Sequence, residues 1–292
     1  MKVAYVDSYT YYICMETMNN YLMRCNNAAK STVIIGKSVL GNNIYAYLKG
    51  RNPNIKVLIQ GAMHAREYIT VPLMTQLLEE YVGEAEVWFA PLINPDGVEL
   101  AINGLKNIPQ SRHSELIAYN NGNADFSLWK ANIRGVDINV NFNALWGEGA
   151  QNITYPSSAN YIGPYPFSEP ETRAMRNVTV NNSFMLTISY HTRGDVIYWG
   201  FDGSYNYPDI AKEFAELTGY PLLKSEDSAG GYKDWFVLFT ERLGMTFEVG
   251  SIKYPQPLGL EAYPEIYQNN KDVARLASKK AVEIYKSSTK NS

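Results

Sequence analysis

The segment 61-GAMHARE-67 places a histidine and a glutamate three positions apart, directly after the apolar run 57-VLI-59. A histidine in a loop and a glutamate in the following helical turn can direct a ring nitrogen and a carboxylate oxygen at one metal ion. The same segment is also compatible with an ordinary loop that contains a histidine. A metal site would need at least one further ligand from elsewhere in the chain.

Two more titratable residues lie where apolar segments end. His191 closes 184-FMLTISYH-191, and Glu248 lies near the end of 244-GMTFEVG-250. If these segments are parallel strands, their carboxyl ends share one edge of a sheet, where catalytic groups collect. Two ring nitrogens and one carboxylate oxygen, with one position left for water, form a common catalytic zinc site. His64, Glu67, His191 and Glu248 are therefore candidates for one site.

The elements that would position these residues follow from the spacing of apolar side chains. We expect a hairpin over 33–50, strands over 56–61, 86–94, 184–191, 195–201 and 244–250, and helices over 71–81, 207–219 and 231–244. A first helix is expected within 1–30 and a last one over 263–287. The segment 94-NPDG-97 is typical of a turn, and 103–166 of long loops.

Strands that alternate with helices predict a mostly parallel mixed sheet with helices on both faces, the α/β class. We expect residues 1–292 to form a single catalytic domain. With 46% apolar residues and a net charge of −3, the composition argues against nucleic acid or an anionic membrane as a partner. Cys14 and Cys25 lack metal-site spacing and are predicted to be small buried thiols.

Seven segments resemble, in this order, the zinc metallocarboxypeptidase (M14-type) family. They are 35-IGKSVLGNNIYA-46, 61-GAMHARE-67, 93-INPDG-97, 129-WKANIRGVDINVNF-142, 189-SYHTRGDVIYWGF-201, 229-AGGYKDW-235 and 246-TFEVG-250. Within that family the sequence most resembles the bacterial γ-D-glutamyl-L-diamino-acid endopeptidases. The resemblance implies a carboxypeptidase-like (phosphorylase/hydrolase-like) fold.

The resemblance also implies roles for the candidate residues. His64, Glu67 and His191 match the ligands of one Zn²⁺ per chain, and Glu248 matches the general base. In the family an arginine commonly follows a tryptophan here and stabilises the oxyanion. This sequence has Lys130 after Trp129, so either Lys130 or Arg134 is expected in that role.

The departures from the family pattern concern the substrate. Val140 stands where the digestive carboxypeptidases carry the arginine that binds a terminal carboxylate, although Asn139 is kept. Valine cannot make that two-pronged ion pair. Lys233 matches the residue that faces the leaving-group side chain, which implies a carboxylate-bearing side chain such as that of meso-diaminopimelate.

Further roles implied by the resemblance are less sharply defined. The family's substrate-closing tyrosine falls at Glu226, so its role is absent or has moved to Tyr232. Arg193 is a second candidate for binding a substrate carboxylate. Asp137 either holds a ligand histidine or stabilises a turn. His113 is assigned to solvent.

The resemblance implies a zinc peptidase that hydrolyses the γ-D-glutamyl bond to meso-diaminopimelate, or to L-lysine, in peptidoglycan stem peptides. One alternative is a metallocarboxypeptidase of broader specificity, and another is an inactive module that binds wall peptides. The start of the chain lacks the pattern of an export signal. We therefore expect a cytoplasmic protein that acts on muropeptides, or one that reaches the wall by lysis or sporulation.

Overall fold

Eight strands pair into one mixed sheet in the computed structural model, which describes residues 15–225 and 229–290. In chain order they are β1 (Ser31–Lys37), β2 (Asn43–Lys49), β3 (Asn52–Gln60), β4 (Ala85–Ala90), β5 (Phe184–His191), β6 (Val196–Trp199), β7 (Leu222–Lys224) and β8 (Leu243–Glu248). They lie side by side in the order β1-β2-β4-β3-β5-β8-β6-β7. The central neighbours β4, β3, β5 and β8 are parallel, which confirms the mostly parallel mixed sheet.

The described residues also contain nine α-helices. They are α1 (Met15–Ala28), α2 (Thr70–Glu80), α3 (Pro95–Asn103), α4 (His113–Tyr119), α5 (Pro170–Val180), α6 (Pro208–Thr218), α7 (Tyr232–Thr240), α8 (Tyr263–Asn270) and α9 (Val273–Lys290). None of them combines the length and apolar character that a bilayer crossing requires.

Alternation along β3 explains why helices cover both faces of the sheet. Val57 and Ile59 point to one face and pack in a core with α1, α2, α6, α8 and α9, whereas Leu58 points to the other and packs with α5 and α7. The central strands are almost continuously apolar because both of their faces are covered. A third, smaller core around the fully buried Trp129 lies beneath the segment that follows α4. The described residues thus form a single α/β domain.

The structure differs from the expected elements in several places. The segment 94–97 is not a turn but the start of α3, because the Asn94 side chain accepts the Gly97 N–H and Pro95 suits a first helical turn. The region 103–166 includes the short helix α4, and α5, at 170–180, was not expected. The last helix is divided into α8 and α9 at residues 271–272, where the Asn270 amide donates to the Ile266 carbonyl. The first helix is described only from residue 15, and Cys14 lies outside the described residues.

Candidate active site

His64 and Glu67 meet through a single 3₁₀ turn beyond the carboxyl end of β3. His64 directly precedes the turn Ala65–Glu67, and its Nδ1 lies 2.9 Å from Glu67 Oε1. Both side chains are buried. The three-residue spacing therefore brings a ring nitrogen and a carboxylate to one point, as expected from the sequence.

His191 reaches the same point from the neighbouring strand. It is the last residue of β5, and its Nδ1 lies 3.0 Å from His64 Nδ1 and 2.9 Å from Glu67 Oε2. In the parallel register, His191 pairs with Glu248, the last residue of β8. The ends of β3, β5 and β8 therefore bring the four titratable residues to one edge of the sheet.

The chemistry of this donor set fits zinc. One ligand atom from each of His64, Glu67 and His191 can be chosen so that all three lie within 4.8 Å of one another. Two imidazole nitrogens and a carboxylate oxygen are the ligands that catalytic zinc takes with a fourth position left open. Two ring nitrogens that face each other across a buried carboxylate are also better satisfied by a shared cation than by one another.

Asp137 connects the candidate ligands to the cation Lys130. Its Oδ1 lies 3.2 Å from His64 Nε2, and its Oδ2 lies 2.8 Å from Lys130 Nζ. The fully buried carboxylate also accepts the backbone N–H groups of Asn139 and Asn160. Asp137 therefore contacts a candidate ligand histidine and also fixes a turn, so the two interpretations from the sequence are compatible.

Asn94 clamps the loops that carry these residues, a role that the sequence analysis missed. Its amide donates to the carbonyl oxygens of Met63 at 3.1 Å and Ala131 at 3.0 Å. The Ala65 N–H also donates to the Lys130 carbonyl at 3.1 Å. The available signal was the segment 93-INPDG-97, whose Asn-Pro pair begins a helix and leaves the asparagine amide free to bridge two loops.

Burial and neighbouring charges shift the pKa values of the buried groups in different directions. Burial alone would raise the pKa of Glu67, but His64 and His191 outweigh it and hold that pKa below its ordinary value. Burial is the main cause that raises the pKa of Glu248, and the negative charge of Glu67 raises it further. Burial also opposes the charge on Lys130, yet Asp137 raises the pKa of that ammonium group. Glu67 is thus ionised beside two imidazoles, and Lys130 remains a cation.

A cavity of about 470 Å³ opens in front of this cluster and is called the central cavity here. His64, Lys130, Val140, Lys233 and Glu248 are among the residues that line it. Glu67 and His191 are not among its lining residues and lie behind it, buried. The cavity therefore combines a candidate metal ligand, two carboxylates and two cations.

Asn139 and Lys233 lie where the sequence analysis expected substrate-binding residues. Both line the central cavity. Asn139 Oδ1 accepts the N–H of Tyr232 at 3.1 Å, which leaves the amide nitrogen of Asn139 as the group available to a ligand.

Gly230 in 229-AGGYKDW-235 is required by the backbone. Its φ is 83°, and a Cβ there would lie 2.7 Å from the Val140 carbonyl oxygen.

Three further residues that were expected to contact the substrate or the oxyanion make other contacts, and for Tyr232 the expectation is wrong. Tyr232 is fully buried, and its hydroxyl bonds to Thr179. Arg193 donates to the carbonyl oxygens of Ile252 and Tyr254 and therefore holds a loop. Arg134 is about half exposed, points toward Glu169, and is not among the lining residues.

The remaining expectations concern His113, Cys25 and Glu226. His113 begins α4 and is not left to solvent, because its Nε2 lies 2.9 Å from the Ile108 carbonyl oxygen. Cys25 is buried, as predicted. Glu226, where the substrate-closing tyrosine was expected, lies outside the described residues. Asp234 lines the central cavity beside Lys233 and was not singled out from the sequence.

Comparisons with known proteins identify the family to which the chain is similar. The family model described as zinc carboxypeptidase matches residues 15–225. A γ-D-glutamyl-L-diamino acid endopeptidase from Lysinibacillus sphaericus is 36% identical over 256 residues, which cover 80% of this chain and 63% of that protein. The chain therefore spans less than two thirds of that relative's length.

Solved structures show the same fold at low sequence identity. Bovine thrombin-activatable fibrinolysis inhibitor, in complex with a tick carboxypeptidase inhibitor, superposes with a TM-score of 0.70 at 19% identity, covering 93% of this chain and 98% of that one. Murein-tripeptide amidase from Escherichia coli O157 gives a TM-score of 0.60 at 19% identity, covering 84% and 92%. The architecture built around the central cavity is thus shared with these proteins.

Proposed function

Because the chain belongs to the zinc carboxypeptidase family and is a zinc-dependent peptidase, we propose that it hydrolyses the bond between γ-D-glutamate and a diamino acid in peptidoglycan stem peptides. One observation carries this proposal. The cavity lined by His64 and Glu248 also has Val140 and Lys233 on its wall, whereas the carboxylate-clamping arginine of digestive relatives has no counterpart at Val140. The similarity to a γ-D-glutamyl-L-diamino acid endopeptidase supports the same substrate class.

In this proposal His64, Glu67 and His191 hold the zinc ion at the inner end of the cavity. Bound zinc supplies Lewis-acid chemistry, since it polarises a carbonyl group and lowers the pKa of water from near 16 to about 7. Asp137 fixes the His64 ring through Nε2, which leaves Nδ1 directed at the ligand cluster. The ligand geometry is therefore set by the protein before any substrate enters.

In this proposal Glu248, which lines the cavity, is the general base. Its carboxylate takes a proton from the attacking water and returns it to the nitrogen of the departing amine as the C–N bond breaks. Lys130 also lines the cavity, and its ammonium group can donate to the oxygen that becomes negative in the transition state. Asp137 holds that ammonium group, so the donor is in place beforehand.

Lys233 is the group on the cavity wall that suits a carboxylate on the leaving diamino acid. Such a carboxylate is present at the far end of the meso-diaminopimelate side chain and absent from L-lysine. Val140, in contrast, offers no charge to a free terminal carboxylate. The favoured substrate is therefore a stem peptide that contains meso-diaminopimelate, a muropeptide either free or part of the wall.

Mass spectrometry of defined muropeptides, with zinc-loaded enzyme and with chelator-treated enzyme, tests the proposal. We expect products cut between γ-D-glutamate and the diamino acid, and no products after chelation. Hippuryl-L-phenylalanine serves as the comparison for the broader carboxypeptidase alternative. Rapid trimming of that compound with muropeptides left intact would replace the proposed function by that alternative.

A further inference from the structure

Lys233 and Asp234 form an ion pair on the wall of the central cavity. Both residues line the cavity, and both side chains are about 5% exposed or less. They occupy the first turn of α7, whose other side chains pack largely into an apolar core. A cation and an anion are thus presented side by side to whatever enters.

Each member of the pair is held in place by the surrounding backbone. Lys233 Nζ donates to the Gly200 carbonyl at 2.7 Å and lies 5.4 Å from the centre of the Phe201 ring. Asp234 Oδ2 accepts the Gly231 N–H at 3.0 Å, which fixes the carboxylate at the start of the helix. An ammonium group has three donors, so one remains after the contacts with Gly200 and Asp234.

Asp234 stabilises the start of α7 by accepting the Gly231 N–H, but this capping role does not require a lysine beside it on the cavity wall. Taking two charges out of water costs about as much as their attraction returns, and an apolar pair of similar volume often serves a core as well. The surroundings here are apolar on the helix side and open on the cavity side. A pair with this placement is therefore better explained by a ligand.

Charge balance selects the kind of ligand. The pair carries no net charge, so a ligand group with a single charge is attracted by one member and repelled by the other. A group that carries both signs can align head to tail with the pair, and every buried charge then has an opposite neighbour. The end of an amino acid, with its ammonium and carboxylate on one carbon, is such a group.

We propose that Lys233 and Asp234 together form a receptor for a zwitterionic amino-acid end group, with the substrate carboxylate on Lys233 and the substrate ammonium on Asp234. This proposal deepens the proposed function and rests on it. The distal end of meso-diaminopimelate has this zwitterion, whereas the end of the L-lysine side chain has only the ammonium. Asp234 is thus a specificity-determining residue that makes the site prefer diaminopimelate to both singly charged side chains.

The test compares kcat/KM for three γ-D-glutamyl peptides that differ only in the leaving residue: meso-diaminopimelate, L-lysine, and L-2-aminopimelate, which has the distal carboxylate without the ammonium. The wild-type enzyme should prefer meso-diaminopimelate by at least about 30-fold. Asp234→Asn should shift the preference to L-2-aminopimelate, and Lys233→Gln should shift it to L-lysine. Each variant leaves one charge, which then selects the opposite single charge.

Asparagine keeps an acceptor for the Gly231 N–H, so Asp234→Asn should fold, and its thermal midpoint is measured alongside. The exposed residues Asp209 and Lys212 on α6 supply the matched controls Asp209→Asn and Lys212→Gln, which should leave all three ratios unchanged. A uniform fall across the three peptides in Asp234→Asn would overturn the proposal.

Binding separates this proposal from the proposed function. Calorimetry on the zinc-loaded enzyme uses Nα-acetyl α-amides of the same three residues, whose only charges lie at the side-chain end. Selective binding of the diaminopimelate derivative, lost in Asp234→Asn, supports the receptor even if no peptide is cut, in which case the proposed function alone fails. Equal binding of the three derivatives by the wild type overturns the receptor even if the peptides are cut.

Discussion

The Lys130 ammonium group lies 2.8 Å from Asp137 Oδ2, on the wall of the central cavity. The other oxygen of the same carboxylate contacts His64, which is one of the candidate zinc ligands. The cation and the ligand are therefore positioned by one buried anion. Charge-assisted contacts of this kind are short and directional, so a change at Asp137 should affect both sides of the site.

Replacing Lys130 should impair catalysis more than binding. Lys130→Ala is expected to lower kcat by about 100-fold with a much smaller change in KM, because a donor to a developing oxyanion acts mainly in the transition state. Arg134→Ala is the matched control, because Arg134 points toward Glu169 and does not line the cavity. Steady-state kinetics on a γ-D-glutamyl peptide decide between them. Equal losses in the two variants would contradict the role of Lys130.

Replacing Asp137 should weaken zinc binding. Asp137→Asn is expected to lower zinc affinity by about 10- to 100-fold, because the His64 ring loses the carboxylate that fixes its orientation. Competition with a chromophoric chelator measures the affinity directly. Asp125→Asn, in an exposed loop, should keep the wild-type affinity. Unchanged affinity in Asp137→Asn would show that the ligand loop is held without this contact.

Zinc should stabilise the folded state as well as activate the enzyme. His64 Nδ1 and His191 Nδ1 lie 3.0 Å apart with the Glu67 carboxylate beside them, so one cation can be shared by all three groups. Zinc at 100 times its dissociation constant should raise the free energy of unfolding by about 2.7 kcal/mol. Urea unfolding with and without zinc measures this change, and elemental analysis should find one zinc per chain. His191→Ala should lose most of the gain; an equal gain in that variant would place the ion elsewhere.

Glu171 should make stability depend on pH. Burial, with further contributions from Asp96 and Glu169, raises the pKa of Glu171 from 4.5 to about 7. The folded state therefore binds this proton more tightly than the unfolded state, and the stability from Glu171 is full below pH 4.5 and lost as the pH rises to about 7. At about 1.4 kcal/mol per pH unit, the loss is at most about 3.5 kcal/mol.

Glu171→Gln isolates that contribution. The variant cannot ionise, so its free energy of unfolding should exceed that of the wild type at pH 8 and differ little at pH 5. Urea unfolding of zinc-loaded protein at both pH values gives the comparison, and the other titrating groups cancel between the two proteins. Parallel pH profiles would show that Glu171 is ionised throughout.

The sequence predicted the ligand cluster because each member follows directly from a local pattern. His64 and Glu67 are joined by one turn, and His191 and Glu248 end strands whose apolar runs are long and unambiguous. The carboxyl ends of parallel strands meet by geometry, so no knowledge of the loops was needed. The alternation of strands and helices likewise predicted the fold.

The failures concern side chains whose direction is decided by tertiary contacts. Tyr232 and Lys233 are consecutive in one helical turn, and only the packing of Tyr232 against Phe142 and Trp235 shows that it points inward. Arg193 is taken up by backbone carbonyl groups of a distant loop. Asn94 was hidden because its partners, Met63 and Ala131, are separated from it by more than thirty residues.

The parallel pairing of His191 with Glu248 has a consequence for how this scaffold could be redesigned. The distance between the two residues is set by the pairing of β5 with β8. Within the segment that joins these strands, residues 192–242, β6 pairs with the other edge of β8 and takes no part in that pairing. Segments of residues 192–242, including those near Lys233, can therefore be grafted from relatives with other preferences while His191 and Glu248 keep their spacing. A slip of one residue between the strands would instead turn one of the two groups to the opposite face and abolish hydrolysis.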